Sequence, residues 1–283
     1  DLDLEKFELD VEERYIFSKL NSTVKKITEL FEEYKLNETP WQVEELFLEL
    51  SRTYIQLTRE KSSMGSDDDK KIVLYAVYNV FMESLKLFAP VAPFITERMY
   101  QNLKHEFKLK EESIHHYSWP KYNEGQIDKE LEDAMKVVSE IVQSALAVRE
   151  KMQLGVRWPI KELVVATKDN NVMKAVEKLK DVIKTQVNVK AIGLVETMPN
   201  VRVKIKADYS KIGPDFGDKS AKVIAQLAID SPETVLKHIN EKGKYSFKAD
   251  GETLDIVKEH LILTREVPAP YEEGNFRLGN IYL

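Results

Sequence analysis

Apolar residues recur at helical spacing through most of the first half of the chain. The spacing predicts amphipathic helices at about 11–34, 41–61, 70–88, 94–103 and 128–153. Pro90 and Pro93 interrupt this pattern, because proline lacks a backbone donor and restricts the residue before it. Gly155 is expected to cap the last of these helices. Long helices joined by short polar connections are typical of an antiparallel bundle.

Beyond Pro159 the pattern changes to short β-rich segments that alternate with helices. We expect strands at 163–166, 189–196, 201–206 and 260–267, and helices at 172–185, 217–229 and 232–241. Asp250-Gly251 is typical of a hairpin turn, since this pair supplies the positive φ angles of a type I′ turn. The sequence therefore predicts an α+β multidomain chain. An antiparallel helical bundle over 1–159 precedes a small mixed α/β domain over 160–283.

Composition excludes several kinds of chemistry. The 283 residues include no cysteine, which excludes disulfides, thiolate catalysis and cysteine-ligated zinc. The formal charge of −6 argues against a surface covered with basic residues, although it describes only the sum. The chain opens on Asp1 without an initiator methionine or a signal-peptide pattern. We therefore expect a cytoplasmic protein, and a piece of a longer one.

No arrangement of residues predicts an active site. The sequence contains neither a glycine-rich dinucleotide loop nor a phosphate-binding loop of the Walker type. Asp67-Asp68-Asp69 would suit a hard cation, but a solvated turn that caps the next helix fits three consecutive acids better. We expect no catalytic residue, no metal site and no cofactor in this chain.

Basic residues do cluster in ways that suit a polyanion. Arg52, Gln56 and Arg59 share one face of the second helix, with Lys61 just beyond. The alternative is a solvated face on which these arginines pair with nearby glutamates. Those glutamates are Glu45, Glu49 and Glu60.

A second basic group accompanies a tryptophan at the end of the bundle. Its candidate contacts are Arg149, Lys151, Arg157 and Trp158, and Lys161 follows. A tryptophan here would stack on an unpaired base, or it would plug the core at the junction of two domains. A third group, Arg202, Lys204 and Lys206, lies on one face of a strand, where it would bind a polyanion or protect a sheet edge from aggregation.

Several segments together resemble the C-terminal part of class I aminoacyl-tRNA synthetases. The motifs shared with the isoleucyl, valyl and leucyl group lie at 11–22, 50–59, 87–97 and 113–120. The later segments 149–159, 187–190 and 213–217 are similar to the isoleucyl pattern of the archaeal and eukaryotic cytosolic type. The resemblance covers essentially the whole chain. It implies a helical domain of the class I anticodon-binding type, followed by the α/β domain.

The resemblance also implies a function. It implies that the chain binds the anticodon arm of isoleucine tRNA, as a monomer and as one part of a synthetase that uses ATP and Mg²⁺. The ATP-site signatures His-x-Gly-His and Lys-Met-Ser-Lys-Ser are absent, so we expect no amino-acid activation by this chain. The chain also stops short of the basic tail that usually follows in the family. Two alternatives stay open: the matching part of a valyl or leucyl enzyme, and a non-catalytic protein-interaction module.

Overall fold

The computed structural model of the chain describes residues 9–249 and 251–283, with the backbone alone at 202, 203 and 265. The acidic residues 1–8, Asp250 of the predicted turn and the side chain of Arg202 therefore lie outside the described residues. No helix within the described ranges combines the length and the apolarity that a membrane span requires.

Helices make up most of the first half, as the apolar spacing predicts. They are α1 (Val11–Glu32), α2 (Thr39–Leu48), α3 (Ile55–Leu57), α4 (Arg59–Met64), α5 (Asp67–Phe88), α6 (Pro93–Phe107) and α7 (Lys129–Lys151). One expectation is wrong, because the single helix predicted over 41–61 is interrupted. A wide π-type turn at Glu49–Tyr54 joins α2 to α3, and Thr58 separates α3 from α4.

The acidic turn before α5 is a helix cap, as predicted. The Ser66 hydroxyl accepts a hydrogen bond from the Asp69 amide, and the Asp69 carboxylate accepts one from the Ser66 amide. This reciprocal pair satisfies two amides that the first turn of a helix leaves free. Its negative charges also lie at the positive end of the helix dipole.

The bundle core forms where α1, α2 and α5 pack against one another. Apolar side chains of the three helices meet there. The fully buried ones include Ile16, Ile27, Leu46, Tyr54, Ala76, Val80 and Leu87. Burial of a side chain of leucine size contributes about 1.5–3 kcal/mol, so this contact is the main source of stability in the bundle.

Polar contacts join the first and last helices of the bundle. Glu132 near the start of α7 accepts hydrogen bonds from the hydroxyls of Ser18 and Ser22 on α1, each 2.6 Å long. The Ser18 hydroxyl in turn accepts from the amide of Asp128, the N-cap residue of α7. These bonds fix the beginning of α7 against the middle of α1.

The second half contains two helical groups and eight strands in the described residues. The elements are β1 (Ile160–Ala166), α8 (Asn170–Lys178), α9 (Lys180–Val187), β2 (Val189–Val195), β3 (Arg202–Ala207), α10 (Tyr209–Phe216), α11 (Ser220–Ile229), α12 (Pro232–Lys242), β4 (Tyr245–Ala249), β5 (Glu252–Ile256), β6 (Leu261–Glu266), β7 (Glu273–Phe276) and β8 (Gly279–Tyr282). The structure thus confirms an α+β chain with the helical bundle first.

The main sheet has the strand order β2-β1-β8-β7. β1 and β2 are parallel and are joined by α8 and α9, as the predicted strand–helix–strand unit requires. β8 pairs antiparallel with β1, and β7 pairs with β8. The pattern of apolar residues does not predict this last hairpin.

The segment between β2 and β7 has a core of its own. β3 pairs with β6, and β4 pairs with β5 as the predicted hairpin. Helices α10, α11 and α12 pack on these two-stranded sheets around Ile212, Val223 and Val235, all of which are fully buried.

Helix α7 links the two halves of the chain. Its apolar side packs in one core with β1, α8, α9 and β2, where Ile141, Leu163 and Ile183 are fully buried. The proposed boundary between residues 159 and 160 lies in the connection from α7 to β1. The α/β half therefore rests on the last helix of the bundle.

Candidate nucleic-acid interface

The π-type turn before α3 directs a basic side chain outward. Leu50 and Tyr54 are buried, whereas Arg52 between them is exposed. Within the described part of the chain, the side chains of Arg52 and Arg59 form no hydrogen bond or ion pair. An extra residue in a helical turn re-aims the neighbouring side chains, which is why π-turns occur often at functional sites.

Two of the three glutamates that would neutralise these arginines are engaged elsewhere, and Glu60 forms no ion pair with either arginine. Glu45 accepts from Lys19 at 2.7 Å, and Glu49 accepts from the Tyr15 hydroxyl at 2.6 Å. Burial and the neighbouring Glu49 raise the pKa of Tyr15, so this hydroxyl stays protonated and keeps donating. Of the two interpretations of this face, the structure favours unpaired arginines.

Lys61 occupies a different environment from Arg52. Its ammonium lies 2.7 Å from a carboxylate oxygen of Asp10 and 2.7 Å from one of Glu13, whose side chain is fully buried. The Tyr54 hydroxyl also donates to Glu13, at 3.0 Å. Lys61 thus ties α4 to the start of α1, and it is not the exposed contact that the sequence predicts. Its charge also balances the close carboxylates of Asp10, Glu12 and Glu13.

A groove of about 280 Å³ extends from Arg52 to the α/β half. Its floor is apolar and includes Val138, Val142 and Val182, whereas its rim is polar. The long side chains of the rim that can donate hydrogen bonds come from the π-type turn, α3, α7 and α9, and they are Arg52, Gln56, Gln143 and Gln186. The side chains of these four have no hydrogen-bond partner among the described residues. Arg59, which follows the break at Thr58, is not part of this lining.

A loop at residues 153–159, called here the Trp158 loop, begins where α7 ends. Gln153 takes a left-handed conformation with φ of 57°, and the amide of Leu154 donates back to the carbonyl of Arg149. This is a Schellman ending, so the predicted cap at Gly155 is wrong by two residues. The indole of Trp158 is 70% exposed, which argues against its role as a core plug.

Three basic side chains lie within a few positions of the exposed tryptophan, along the chain or on the strand that pairs with β1. Arg157 precedes it, and Lys161 and Lys190 are neighbours on β1 and β2, because Ile160 pairs with Val189 in parallel register. All three are exposed and have no ion pair among the described residues. Like charges placed side by side without acidic partners create a positive potential that suits phosphate.

Arg149 and Lys151 differ from the sequence prediction. Arg149 is only 1% exposed, and its guanidinium donates to the carbonyls of Val187, Gly155 and Trp158. It therefore lies beneath the Trp158 loop, where it has no access to a ligand. Lys151 is exposed but pairs with Glu272 at 2.7 Å.

The groove and the Trp158 loop lie next to each other. Leu146 of the groove precedes Arg149 by three residues, about 4.5 Å along α7. Gln186 at the other wall precedes Asn188, whose side-chain amide donates to the carbonyl of Val156 in the loop. The arrangement therefore combines a positive groove with an exposed aromatic platform.

The third basic group, on β3, includes a lysine that is already paired with a glutamate. Lys204 and Lys206 are exposed on β3, and Lys204 pairs with Glu266 at 2.8 Å. Both interpretations of this strand remain open. Sequence reasoning missed Gln143, Gln186, Asn188 and Lys190 as parts of the surface. The signal for Asn188 was available, since asparagine after a helix favours the left-handed conformation.

Comparisons with known proteins identify the family of the chain. Residues 13–167 match the family described as the anticodon-binding domain of tRNA ligase. The chain is 37% identical to the isoleucine--tRNA ligase of Methanosarcina barkeri over 289 residues, which covers 100% of this chain and 27% of that protein. It is 33% identical to that of Thermococcus kodakarensis over 276 residues, covering 96% of this chain and 25% of the relative.

A third relative is the isoleucine--tRNA ligase of Archaeoglobus fulgidus, at 35% identity over 281 residues, with 99% of this chain and 26% of that protein covered. The chain thus spans about a quarter of the length of the curated relatives it matches. What these ligases have in common with the present chain is the anticodon-binding part. The chain belongs to the tRNA ligase anticodon-binding family, as a part related to isoleucine--tRNA ligases.

Proposed function

We propose that the chain binds the anticodon arm of isoleucine tRNA as the recognition part of an isoleucine--tRNA ligase. In this role it positions the tRNA and performs no bond-making step itself. The groove that begins at Arg52 and the Trp158 loop together form the surface that meets the RNA. The rest of the synthetase chain is its covalent partner, and one copy of the chain serves one tRNA in the cytoplasm.

The observation that carries the proposal is the exposed Trp158 beside unpaired basic side chains. An exposed aromatic ring provides a face on which an unstacked base can lie, and a base held there presents its edges to neighbouring polar side chains. The exposed Arg157, Lys161 and Lys190 add positive charge on and beside the strand that follows the loop. Stacking and phosphate contact are the two interactions on which recognition of single-stranded RNA depends.

The basic residues divide between two roles. Arg52 and Arg59 carry unpaired guanidinium groups on the bundle, and phosphate contacts of this kind fix the register of a nucleic acid without reading its sequence. Arg157 and Trp158, together with the amides of the groove, provide contacts that distinguish bases. Lys151 adds a rim charge that Glu272 partly offsets.

The net charge of −6 is compatible with RNA binding through a few local basic groups. Nonspecific RNA binding depends on total positive charge, because the electrostatic contribution is blind to sequence. A net negative charge therefore weakens binding to RNA that does not fit the basic groups.

The nucleotide chemistry belongs to the remainder of the ligase. Activation of isoleucine requires ATP and Mg²⁺, and the two ATP-site signatures of the class are absent from this sequence. We therefore assign neither cofactor to any residue of the chain.

The test is the affinity of the chain for whole tRNA transcripts at several salt concentrations. We expect isoleucine tRNA to bind more tightly than the same transcript with a different anticodon, and both affinities to fall as salt rises. A preference for valine or leucine tRNA would instead indicate that the chain is part of a valyl- or leucyl-tRNA synthetase. Equal and negligible binding of all transcripts would leave the protein-interaction module as the better account.

A further inference from the structure

Arg149 is a buried cation without an anionic partner. Its guanidinium donates to Val187 at 3.1 Å, to Gly155 at 2.6 Å and to Trp158 at 2.5 Å, and every acceptor is a backbone carbonyl. Among the described residues it forms no ion pair with a carboxylate. Burial lowers the pKa of Arg149, but a guanidinium stays protonated in proteins.

Backbone carbonyls provide the compensating charge, and the carbonyl of Val187 lies at the end of a helix. Val187 is the last residue of α9, and Arg149 itself lies in the last turn of α7. Carbonyls at a helix C-terminus carry partial negative charge and lack partners within the helix. The planar fork of the guanidinium reaches carbonyls in several directions at once, which an ammonium cannot do.

Asn188 holds the same loop from its other side. Its backbone is left-handed with φ of 53°, and its side-chain amide donates to the carbonyl of Val156 at 2.7 Å. The amide of Ile160, just after the loop, donates to the carbonyl of Asn188 at 3.0 Å. Three carbonyls of the Trp158 loop are therefore bound by two side chains that lie beneath or beside it.

We infer that Arg149 and Asn188 are positioning residues that fix the Trp158 loop in one conformation before RNA binds. This inference rests on the proposed RNA-binding role of the loop. The two residues bind the loop backbone and leave the Trp158 ring free to stack. A ring that is already held in place loses less conformational entropy when a base stacks on it than a ring on a mobile loop does. The RNA therefore binds more tightly.

Two substitutions separate this role from general stability. Arg149→Lys keeps the positive charge and removes the fork. Asn188→Gly removes the amide and keeps the left-handed backbone, which glycine adopts without strain. Lys108→Gly is the matched control, because Lys108 also has a left-handed φ, of 51°, at the end of α6 and away from the loop.

The readout is fluorine NMR of the chain labelled with 5-fluorotryptophan, which gives one resonance for each of its three tryptophans. The resonance of Trp158 is assigned by its loss in Trp158→Phe. We expect both loop variants to shift and broaden this resonance and to leave those of Trp41 and Trp119 in place. They should also weaken isoleucine tRNA binding about tenfold, the cost of immobilising one or two side chains. Lys108→Gly should do neither.

An unchanged Trp158 resonance and unchanged affinity in Asn188→Gly and Arg149→Lys would overturn the inference. If Arg149→Lys does not fold, the resonance and the affinity of Asn188→Gly test the inference without it. A failure of the proposed function would give a different result. In that case Trp158→Ala, in a chain that keeps Arg149 and Asn188, would bind isoleucine tRNA as tightly as the wild type does.

Discussion

Two tryptophans with nearly equal exposure lie in different surroundings. Trp158 is 70% exposed and Trp41 is 69% exposed. Arg157 and Lys161, which have no ion pair among the described residues, lie next to Trp158 in the chain, whereas Trp41 lies on α2, a helix whose neighbouring surface includes Glu44 and Glu45. Exposure alone therefore does not distinguish a binding residue from a surface residue, and the local charge must be considered with it.

The pair gives a controlled test of stacking. Trp158→Ala should weaken isoleucine tRNA binding by about 1–3 kcal/mol, the value of one base stacked on an aromatic ring. Trp41→Ala should leave that affinity unchanged. Both should alter the free energy of unfolding by less than about 0.5 kcal/mol, since neither side chain is buried. Titrations of the labelled tRNA measure the affinities, and equal loss in both variants would rule out a specific stacking site.

Arg52 should act through phosphate alone. Arg52→Gln removes one cationic contact, so the slope of log affinity against log salt should become less steep by about 0.7–1. The loss should be similar for the isoleucine tRNA and for its anticodon variant. Arg98→Gln serves as the control, because Arg98 is an exposed arginine on α6, away from the groove. A change in anticodon preference in Arg52→Gln would contradict a pure phosphate role.

For single residues, the sequence predicts where basic side chains cluster, but it does not predict what each of them contacts. The basic cluster at 149–158 could be recognised from its composition. The sequence could not reveal that Arg149 lies under the loop, because its three acceptors are backbone carbonyls from two separate segments. Nor could it reveal that Lys61 is used by Glu13, since 48 residues separate the pair.

At the scale of elements, the long helices were predictable and the short strands were not. The apolar spacing of α1, α5 and α7 identified them within a few residues. β7 and β8 have only 4 residues each, and half of each strand is glycine or asparagine, which breaks any alternation. The pairing of β8 with β1 depends on contact across more than 100 residues of sequence, which no local pattern records.

Gly279 tests the importance of that hairpin. A methyl group at Gly279 would lie 2.4 Å from the carbonyl oxygen of Ala166 on β1, so the backbone must shift. Gly279→Ala should therefore destabilise the chain by about 1–3 kcal/mol. Gly155→Ala should have little effect, because its Cβ would meet nothing within 4 Å and its φ is not positive. Urea unfolding curves compare the two, and equal stability would show that β8 pairing contributes little.

The contact between α1 and α7 predicts a dependence of stability on pH. Burial alone would raise the pKa of Glu132, but the hydroxyls of Ser18 and Ser22 and the ammonium of Lys129 outweigh it, so its pKa is below 4.5 in the folded chain. The ionised carboxylate therefore stabilises the fold above pH 4.5, and this contribution is lost as pH falls through the lowered pKa.

Glu132→Gln should remove this dependence. Its free energy of unfolding should be lower than that of the wild type at pH 7 and should fall less as the pH is taken below 4.5, because the wild-type carboxylate, with its lowered pKa, takes up its proton there. Thermal unfolding at several pH values measures both. A variant that loses stability as steeply as the wild type would exclude Glu132 as the titrating group.

At the scale of the molecule, α7 gives the two halves a fixed relation. It contributes to the core of the α/β half and also contacts α1 of the bundle through Glu132. The groove between Arg52 and Gln186 exists because of this arrangement, since its walls come from both halves. The fold class could be predicted from periodicity, but the groove could not, because it depends on how α3, α7 and α9 are placed in space.

The central claim is that this surface recognises the anticodon arm. The most direct measurement is the affinity of the chain for an isolated anticodon stem-loop of isoleucine tRNA, compared with the same stem-loop carrying a different anticodon. The account predicts that the isoleucine stem-loop binds at least tenfold more tightly, about 1.4 kcal/mol. It also predicts that Trp158→Ala reduces this preference. Equal affinity for the two stem-loops would contradict the account.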